Sequence, residues 1–264
     1  MNQFALITGA SQGIGKYMAI ELAKKGISLV LVALPTAVLE ETAQVIQTQY
    51  PAIKVYTIGV DLTDDYAAQK VYDRCQEKKI AIQYLINNAG MGYTGAFDSF
   101  PIDFLDNLMK LNMLATTRLI RLFIDDLKQQ PKAYILNVAS IAGLYDIPYK
   151  VVYSASKSFV YTFSRALREE LKGTSVSVTV LCPGGVATNP DALAAVARMG
   201  RAARMLTTMP GEVAKVGIKA MFKGKAVVIP KFTIRLYASM RHVIPYPLQL
   251  KILGYFLRRK YKNV

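Results

Sequence analysis

The sequence predicts an α/β fold in which a doubly wound parallel sheet forms a single domain and a helical, basic segment extends it at the C-terminal end. Short apolar runs alternate with helix-length stretches of mixed polarity, a pattern typical of parallel strands joined by right-handed crossovers. A glycine cluster lies between the first apolar run and the first helical stretch. The chain of 264 residues, 52% of them hydrophobic, is long enough to build one such domain around a substantial core.

Six strands are predicted from runs that are short, apolar and partly β-branched, which is typical of strands buried on both faces. In chain order they span residues 4–8, 28–33, 55–60, 82–86, 133–138 and 176–182. No strand is expected between residues 189 and 209. The predicted domain covers residues 1–230, and residues 231–264 form a basic amphipathic segment that packs on this domain or on a partner surface.

The glycine cluster after the first strand predicts a binding site for the phosphates of a dinucleotide. Glycine lets the backbone turn tightly and approach a pyrophosphate, and the helix that follows offers free N–H groups and the positive end of its dipole. The strand, turn and helix context that such a cluster requires is present. The candidate cofactor-binding residues here are Gly9, Ser11, Gln12, Gly13, Ile14 and Gly15.

Further candidates for the same site directly follow the third and fourth predicted strands. Asp61 and Leu62 come after the third strand, and Asn88, Ala89 and Gly90 come after the fourth. Ligands of open parallel sheets bind at the carboxyl ends of the strands. We therefore expect these residues to line the site that the glycine turn begins.

A second cluster has the chemistry of proton transfer. Tyr153 and Lys157 are four residues apart, so a helix places them on one face. A lysine cation favours the phenolate, so it is expected to lower the tyrosine pKa from about 10 towards the range in which proton transfer is efficient. Ser140 follows the fifth predicted strand, where its hydroxyl can hydrogen-bond a substrate oxygen.

Taken together and in this order, these motifs resemble the classical short-chain dehydrogenase/reductase family. The resemblance covers about residues 3–230 and rests on Thr8 to Gly15, Asn87 to Gly90, Asn112, Ser140, Tyr153 to Lys157, and Pro183-Gly184. It implies a Rossmann-type fold and an enzyme that interconverts a ketone and a secondary alcohol by hydride transfer with NAD(P). It also implies a homodimer or a homotetramer.

The resemblance implies a role for each catalytic residue. Tyr153 is the acid/base residue, and Lys157 both adjusts its pKa and binds the nicotinamide ribose. Ser140 hydrogen-bonds the substrate oxygen. Asn112 supports a water that relays protons to Lys157, and the alternative is that Asn112 bonds only within its own helix. The loop after the sixth strand contacts the nicotinamide carboxamide and the cofactor phosphates through Pro183, Gly184, Val186 and Thr188.

The sequence leaves the choice between NADP and NAD open. An acidic residue after the second strand binds a free ribose 2′-hydroxyl, whereas a nearby arginine accommodates a 2′-phosphate. Here Leu34 occupies that position, and Gln12 is neutral where relatives often carry a basic residue. NADP is favoured because no acidic side chain there repels a phosphate, Thr36 can donate a hydrogen bond to it, and the chain is basic.

The expected substrate is hydrophobic, either steroid-like or carrying an acyl chain, because the tail after Lys225 resembles that of family members acting on such compounds. One alternative is a 3-ketoacyl-carrier reductase of fatty-acid metabolism, and a more remote one is a non-catalytic nucleotide-binding regulator. Residues 189–209 are expected to cover the substrate. Arginines there, at Arg198, Arg201 and Arg204, either meet a phosphate-bearing carrier such as coenzyme A or form the solvated face of a lid helix.

Composition argues against several other kinds of site. His242 is the single histidine and no zinc-ligand spacing occurs, so neither a metal site nor a histidine-based triad is expected. Cys75 and Cys182 are expected to be buried thiols in a reducing compartment. The first strand starts too early for a signal peptide, so a cytoplasmic protein is predicted, with peripheral membrane association as an addition.

The net charge of +15 is concentrated at the C-terminal end, where twelve Lys and Arg and no acidic residue follow Glu212. The segment is also apolar. A helix ending before Pro245 is expected to place one set of side chains on a single face: Phe232, Leu236, Met240 and Val243. The segment packs on the sheet or another subunit, lies on an anionic membrane surface, or binds nucleic acid. The absence of a recognition helix or stacking platform argues against nucleic acid.

Overall fold

The computed structural model describes residues 3–186, 207–240 and 245–261, and it confirms the predicted α/β fold. All six predicted strands are present, and none differs from its predicted bounds by more than one residue. They are β1 (Phe4–Thr8), β2 (Ser28–Ala33), β3 (Val55–Gly59), β4 (Ile82–Asn87), β5 (Ala133–Val138) and β6 (Val176–Leu181).

Three further strands have two residues each, and the sequence analysis did not predict them: β7 (Gly185–Val186), β8 (Thr207–Thr208) and β9 (Val227–Val228). The main sheet has seven strands in the order β3-β2-β1-β4-β5-β6-β9, and every neighbouring pair is parallel. The small parallel pair of β7 and β8 shows that the expectation of no strand between residues 189 and 209 was wrong. A strand of two residues is too short to show a periodic pattern in the sequence. Whether such a strand forms depends on the strand edge with which it pairs.

Helices cover both faces of the sheet. They are α1 (Gly13–Ala23), α2 (Ala37–Gln49), α3 (Ala67–Glu77), α4 (Ile102–Met109), α5 (Ala115–Gln129), α6 (Val151–Glu170), α7 (Pro210–Phe222), α8 (Phe232–Met240) and α9 (Tyr246–Tyr261). A π-helical turn, Lys110–Leu114, joins α4 to α5, and a 3-10 turn, Ile141–Leu144, precedes α6.

Two cores lie on opposite faces of the sheet, because successive residues of a strand point to opposite sides. In β1, Ile7 belongs to the core that α1, α2 and α7 cover, whereas Leu6 belongs to the core that α3 and α5 cover. Met18 and Phe123 are fully buried in these two cores, respectively. Each such side chain contributes about 1.5–3 kcal/mol of transfer free energy, so the paired cores fix the strand ends that form the site.

The C-terminal segment continues past the sheet as α8 and α9. β9 ends at Val228 and α8 begins at Phe232, while the domain boundary at residue 230 stays a prediction. Val243 and the side chain of Met240, both predicted on the apolar face, lie outside the described residues. Within the described ranges, no helix combines the length and the apolar character needed to cross a bilayer. The two cysteines are buried thiols, as predicted.

Candidate active site

The glycine turn joins β1 to α1 in a conformation that glycine adopts most readily. Gly9 and Gly13 have φ angles of +63° and +55°, a region that residues with a side chain rarely occupy. Gly15 has no room for a side chain, since a Cβ there would lie 2.2 Å from the backbone oxygen of Gly9. The turn is thus packed backbone against backbone, which leaves its outer surface accessible to a phosphate.

The N-terminus of α1 presents backbone N–H groups beside this turn. Gln12 precedes the helix in an extended conformation, and its side chain caps none of these groups. The N–H of Lys16 donates to the Gln12 carbonyl at 3.3 Å, so the first residues of the helix have no intrahelical acceptor for their N–H groups. Uncapped N–H groups and the positive end of the helix dipole make this an anion-binding position.

Hydrogen bonds tie the glycine turn to the loop that follows β4. The side-chain amide of Asn88 donates to the carbonyls of Thr8 and Gly9, at 2.9 and 3.1 Å. In return, the Thr8 hydroxyl accepts the backbone N–H groups of Asn88 and Ala89, at 2.9 and 3.0 Å. The two strand ends therefore form one braced wall, which keeps the predicted binding residues in fixed positions.

The strand ends surround a cleft of about 820 Å³, a volume within the range of small-molecule sites. Most of the predicted site residues line it: Gly9, Ser11, Gln12, Gly13, Ile14, Leu34, Asp61, Leu62, Asn88, Ala89, Gly90, Ser140, Tyr153, Lys157, Pro183, Gly184 and Val186. Two predicted residues, Gly15 and Asn112, do not line the cleft but contact residues that do. Thr188 lies outside the described residues.

Asn112 is buried in the π-helical turn and joins separate segments. Its side chain accepts the N–H of Met91 and donates to the Met91 carbonyl, both at 2.9 Å, and it also donates to the Ser156 hydroxyl at 3.0 Å. The alternative that Asn112 bonds only within its own helix is therefore wrong. Its implied role in supporting a water stays a prediction.

Ser140 is brought to α6 by a close backbone approach. Its hydroxyl accepts the N–H of Ala142 at 3.1 Å, which caps the 3-10 turn. Within that turn, a Cβ on Gly143 would lie 2.5 Å from the backbone carbonyl atoms of Lys157. Because glycine permits this contact, Ser140 reaches the face of α6 that carries Tyr153, and both side chains line the same cleft.

Burial raises the pKa of Tyr153 above its ordinary value of 10.0, because the phenolate loses solvation. The nearby Ser140 hydroxyl acts in the opposite direction. The predicted net lowering of the Tyr153 pKa is therefore not found in the protein alone, because burial outweighs the effects that oppose it. The Lys157 ammonium instead donates to the Val138 carbonyl at 3.0 Å. Tyr153 is consequently held as a neutral phenol with a proton to donate.

Lys157 is a buried cation at the floor of the cleft. Burial lowers its pKa to about 8, and the nearby Cys182 sulfur opposes this shift. Its ammonium lies close to the loop after β4, since a Cβ on Gly90 would be 3.0 Å from both Lys157 Nζ and Asn112 Oδ1. A partly protonated lysine in this position supplies a positive charge that the surrounding protein screens poorly.

We expect Lys157→Met to make the ligand-free protein more stable at neutral pH. The variant keeps a side chain of similar shape but removes the buried ammonium group. The pKa of this group is 10.5 in the unfolded chain and about 8 in the folded protein. Between these values the unfolded chain binds more protons than the folded chain. The free energy of unfolding of the wild type therefore rises by about 3 kcal/mol from pH 8 to pH 10.5 through Lys157 alone.

Urea unfolding of both proteins across this pH range measures the effect. The stability advantage of Lys157→Met should be largest below pH 8 and should shrink as the pH approaches 10.5. Taking the difference between the two proteins removes the contributions of other groups, such as the thiol of Cys75, whose pKa burial raises to about 12. A difference that does not change with pH would contradict the assignment of a buried ammonium.

Two residues that position Tyr153, Gly92 and Tyr93, were not predicted from the sequence. The hydroxyl of Tyr93 accepts the N–H of Val152 at 3.1 Å and so caps the first turn of α6. Gly92 lies against the Tyr153 ring, since a Cβ there would be 3.0 Å from it. Tyr93 is itself buried, with its ring 4.4 Å from that of Phe100. Gly92 and Tyr93 lie just after the Asn-Asn-Ala-Gly motif of residues 87–90, and this position was the feature of the sequence that could have indicated their role.

The part of the cleft beside β2 carries no acidic side chain on that strand end. Leu34 is exposed there, and Thr36 precedes α2 with a side chain that caps none of the helix N–H groups. The carboxylate of Asp61 is engaged locally, since it accepts the N–H and the hydroxyl of Thr63 at 2.9 and 2.8 Å. This end of the cleft therefore offers a hydroxyl and a second uncapped helix N-terminus.

The cleft fits a nicotinamide dinucleotide, because its positive-φ glycines and uncapped α1 N-terminus form a cradle for phosphates. When bound, such a cofactor would supply a hydride to a carbonyl carbon or accept one from the carbon of a secondary alcohol. The residues from Gly9 to Gly15 would hold its phosphates, and Asn88 to Gly90 with Lys157 would hold the reacting end.

The residues around Tyr153 can move the proton that such a reaction needs. Tyr153 is able to give its phenolic proton to a carbonyl oxygen as negative charge develops on that oxygen. The Ser140 hydroxyl lines the same cleft, so it can donate a hydrogen bond to that oxygen and stabilise the same charge. Lys157 lies one helical turn from Tyr153, and its positive charge favours the phenolate that remains after transfer.

Two curated proteins are similar to this chain. The very-long-chain 3-oxoacyl-CoA reductase of Bos taurus is 34% identical over 194 residues, which cover 71% of this chain and 61% of the bovine protein. The ketoacyl reductase HetN of a Nostoc strain is 33% identical over 181 residues, which cover 69% of this chain and 62% of that protein. The chain thus matches less than two thirds of the length of either relative.

Two solved structures superpose on most of this chain. A short-chain dehydrogenase from Sphingobium yanoikuyae in complex with NADPH superposes with a TM-score of 0.78 and 28% identity, covering 90% of this chain and 92% of that one. A short-chain dehydrogenase/reductase from Burkholderia phymatum in complex with NAD gives 0.80 and 25%, covering 91% and 93%. The family model for short chain dehydrogenase matches residues 3–198. The chain belongs to the short-chain dehydrogenase family.

Proposed function

We propose that this protein is an NADP-dependent oxidoreductase that reduces the 3-oxo group of an acyl thioester with a long hydrocarbon chain to a secondary alcohol. One observation carries the reaction type. The hydroxyls of Ser140 and Tyr153 line one cleft together with the buried ammonium of Lys157 and the phosphate-binding turn. This arrangement places a proton donor beside the site for a hydride-carrying cofactor.

The choice of substrate class rests on the lining near Tyr153 and on the relatives. Met91 and Leu111 line the cleft on the side of the loop that carries Gly92, which contacts the Tyr153 ring. Apolar side chains there favour a hydrocarbon chain over a sugar or another polar substrate. Both curated relatives are named as reductases of 3-oxoacyl or ketoacyl compounds.

The preference for NADP rests on the end of the cleft beside β2. No acidic side chain follows that strand to repel a 2′-phosphate, because Leu34 occupies the position. The uncapped N-terminus of α2 and the hydroxyl of Thr36 are suited to an anion. The excess of basic residues over the whole chain acts in the same direction.

A substrate panel tests this proposal. The purified protein is given NADPH or NADH together with 3-oxoacyl-CoA thioesters of short, medium and long chains, or with a ketosteroid of similar size. We expect the highest kcat/KM with NADPH and the long-chain thioester, and no turnover of the matched saturated acyl-CoA, which lacks the 3-oxo group. Faster reduction of the ketosteroid would assign a bulky ketone instead. Cofactor binding without turnover of any compound would favour the non-catalytic regulator.

A further inference from the structure

The outward faces of α8 and α9 carry large apolar side chains that the domain does not cover. On α8, Phe232 and Leu236 are 73% and 59% exposed and lie one turn apart, while Ile234 points into the protein at 4%. Residues four apart share a helix face, so the two exposed side chains form one apolar strip. Ile234 packs against the protein, whereas the two side chains of the strip are mostly exposed.

The outward face of α9 repeats the arrangement over a longer distance. Leu248, Ile252 and Tyr255 are 48%, 41% and 60% exposed, at positions i, i+4 and i+7. Leu253 is half-buried and lines a cavity with residues 144–146, so it marks the side that faces the protein. The exposed apolar strip is therefore a consequence of how the helix packs.

Basic side chains flank both strips. Arg235 is exposed next to Leu236 on α8, and Lys251, Arg258 and Arg259 are exposed on α9. Arg258 donates to the carbonyl of Gly254 at 3.1 Å, which holds its guanidinium against the helix. The sequence has no Asp or Glu after Glu212, so no carboxylate within the segment offsets these charges.

Both helices lie against the segment that follows Ser140. α8 contacts the 3-10 turn Ile141–Leu144. α9 and residues Leu144 to Asp146 together line a small cavity of about 50 Å³, to which α9 contributes Gln249, Leu250 and Leu253. The two strips are thus carried by helices that pack on the segment directly after Ser140.

We propose that α8 and α9 form a docking surface for an anionic lipid bilayer, with their apolar strips inserted among the headgroups and their basic residues on lipid phosphates. Alternating apolar and basic residues on one side of a helix, with low overall hydrophobicity, is the pattern of helices that lie in a membrane interface. Each Lys or Arg close to an anionic surface adds to the electrostatic attraction.

The positive charge on α8 and α9 favours an anionic bilayer over a second copy of this chain as the partner of this surface. If two copies met through these faces, each would bring the same cluster of cations to the contact, and like charges brought together at an interface oppose association. An anionic bilayer supplies both the missing negative charge and an apolar layer. Because the surface lies beside Ser140, docking would also bring the cleft close to substrates dissolved in the membrane.

Sedimentation of the full chain with vesicles tests the docking surface. One set of vesicles is phosphatidylcholine alone, and the other contains phosphatidylglycerol as well. We expect the wild type to sediment at least tenfold more with the anionic vesicles, and added salt to reduce this binding. Failure of the wild type to bind anionic vesicles would overturn the proposal, whatever the activity of the protein.

Two double variants separate the apolar and basic contributions. Phe232→Ser with Ile252→Ser removes one exposed side chain from each strip, and Lys251→Glu with Arg259→Glu reverses two charges. Each should lower vesicle binding about tenfold or more while cofactor affinity stays at the wild-type value. Retention of cofactor binding shows that the variant has folded.

Matched controls change the same chemistry elsewhere on the surface. Val45→Ser with Tyr66→Ser removes exposed apolar groups from α2 and from the start of α3, and Lys70→Glu with Lys128→Glu makes the same change of net charge. These controls should bind vesicles like the wild type. Equal loss in controls and test variants would assign binding to overall charge and overturn the surface. A change of oligomer size in the test variants, without vesicle binding by the wild type, would assign the face to a second copy.

Discussion

Tyr153→Phe is expected to lower kcat by about 10²–10⁴-fold, the usual contribution of a positioned acid or base. The substitution removes the transferable proton and keeps the ring. The ring contact at Gly92 therefore remains, and the backbone of α6 is still capped by Tyr93. Because burial raises the pKa of Tyr153, the group is a phenol at neutral pH, and the loss should fall on proton donation to the substrate.

The control for this kinetic comparison is the same substitution at a second tyrosine of α6. Tyr161→Phe makes the same chemical change on α6, at a residue that does not line the cleft and whose ring faces Arg165. This control should keep its kcat within about twofold of the wild type, since Tyr161 does not line the cleft and the substitution keeps its half-buried ring. Calorimetric titration of NADPH should give a similar affinity for all three proteins. Unchanged turnover by Tyr153→Phe would remove Tyr153 from the acid/base role.

Gly143→Ala is expected to destabilise the protein by about 3 kcal/mol, at the upper end of the range for overpacked interiors. The added Cβ would meet the backbone carbon and oxygen of Lys157 at 2.5 Å, and backbone atoms cannot rotate away as a flexible side chain can. The turn that carries Ser140 must then move away from α6. For a chain of this length, the loss corresponds to a decrease in Tm of roughly 6–12 °C.

Thermal unfolding of Gly143→Ala should be compared with that of Gly211→Ala. At Gly211, in the first turn of α7, a Cβ would make an ordinary contact of 3.4 Å with the Tyr17 ring, so alanine fits without strain. We expect the control to match or slightly exceed the stability of the wild type. Gly143→Ala should also lower kcat more than it weakens NADPH binding, because Ser140 is displaced. Equal stability of the two variants would contradict the close packing of the 3-10 turn on α6.

The sequence by itself determined the main strands and the chemistry of the site. Buried parallel strands are nearly continuous apolar runs, and such runs fixed the bounds of β1 to β6 to within one residue. The glycine turn could be predicted because its function depends on a local conformation. Gly9 and Gly13 take positive φ angles, and the residue type follows directly from that requirement. Tyr153 and Lys157 are likewise joined by the geometry of a single helix.

Only the tertiary structure decided what depends on contacts between distant segments. β9 is a two-residue strand that pairs with the edge of β6, and the contact of Tyr93 with Val152 joins residues far apart in the chain. The pKa of Tyr153 is raised because burial depends on the whole fold and outweighs the local spacing to Lys157. The basic and apolar composition of the tail is visible in the sequence. Which of its side chains face outward is set by the packing of α8 and α9 on the segment after Ser140.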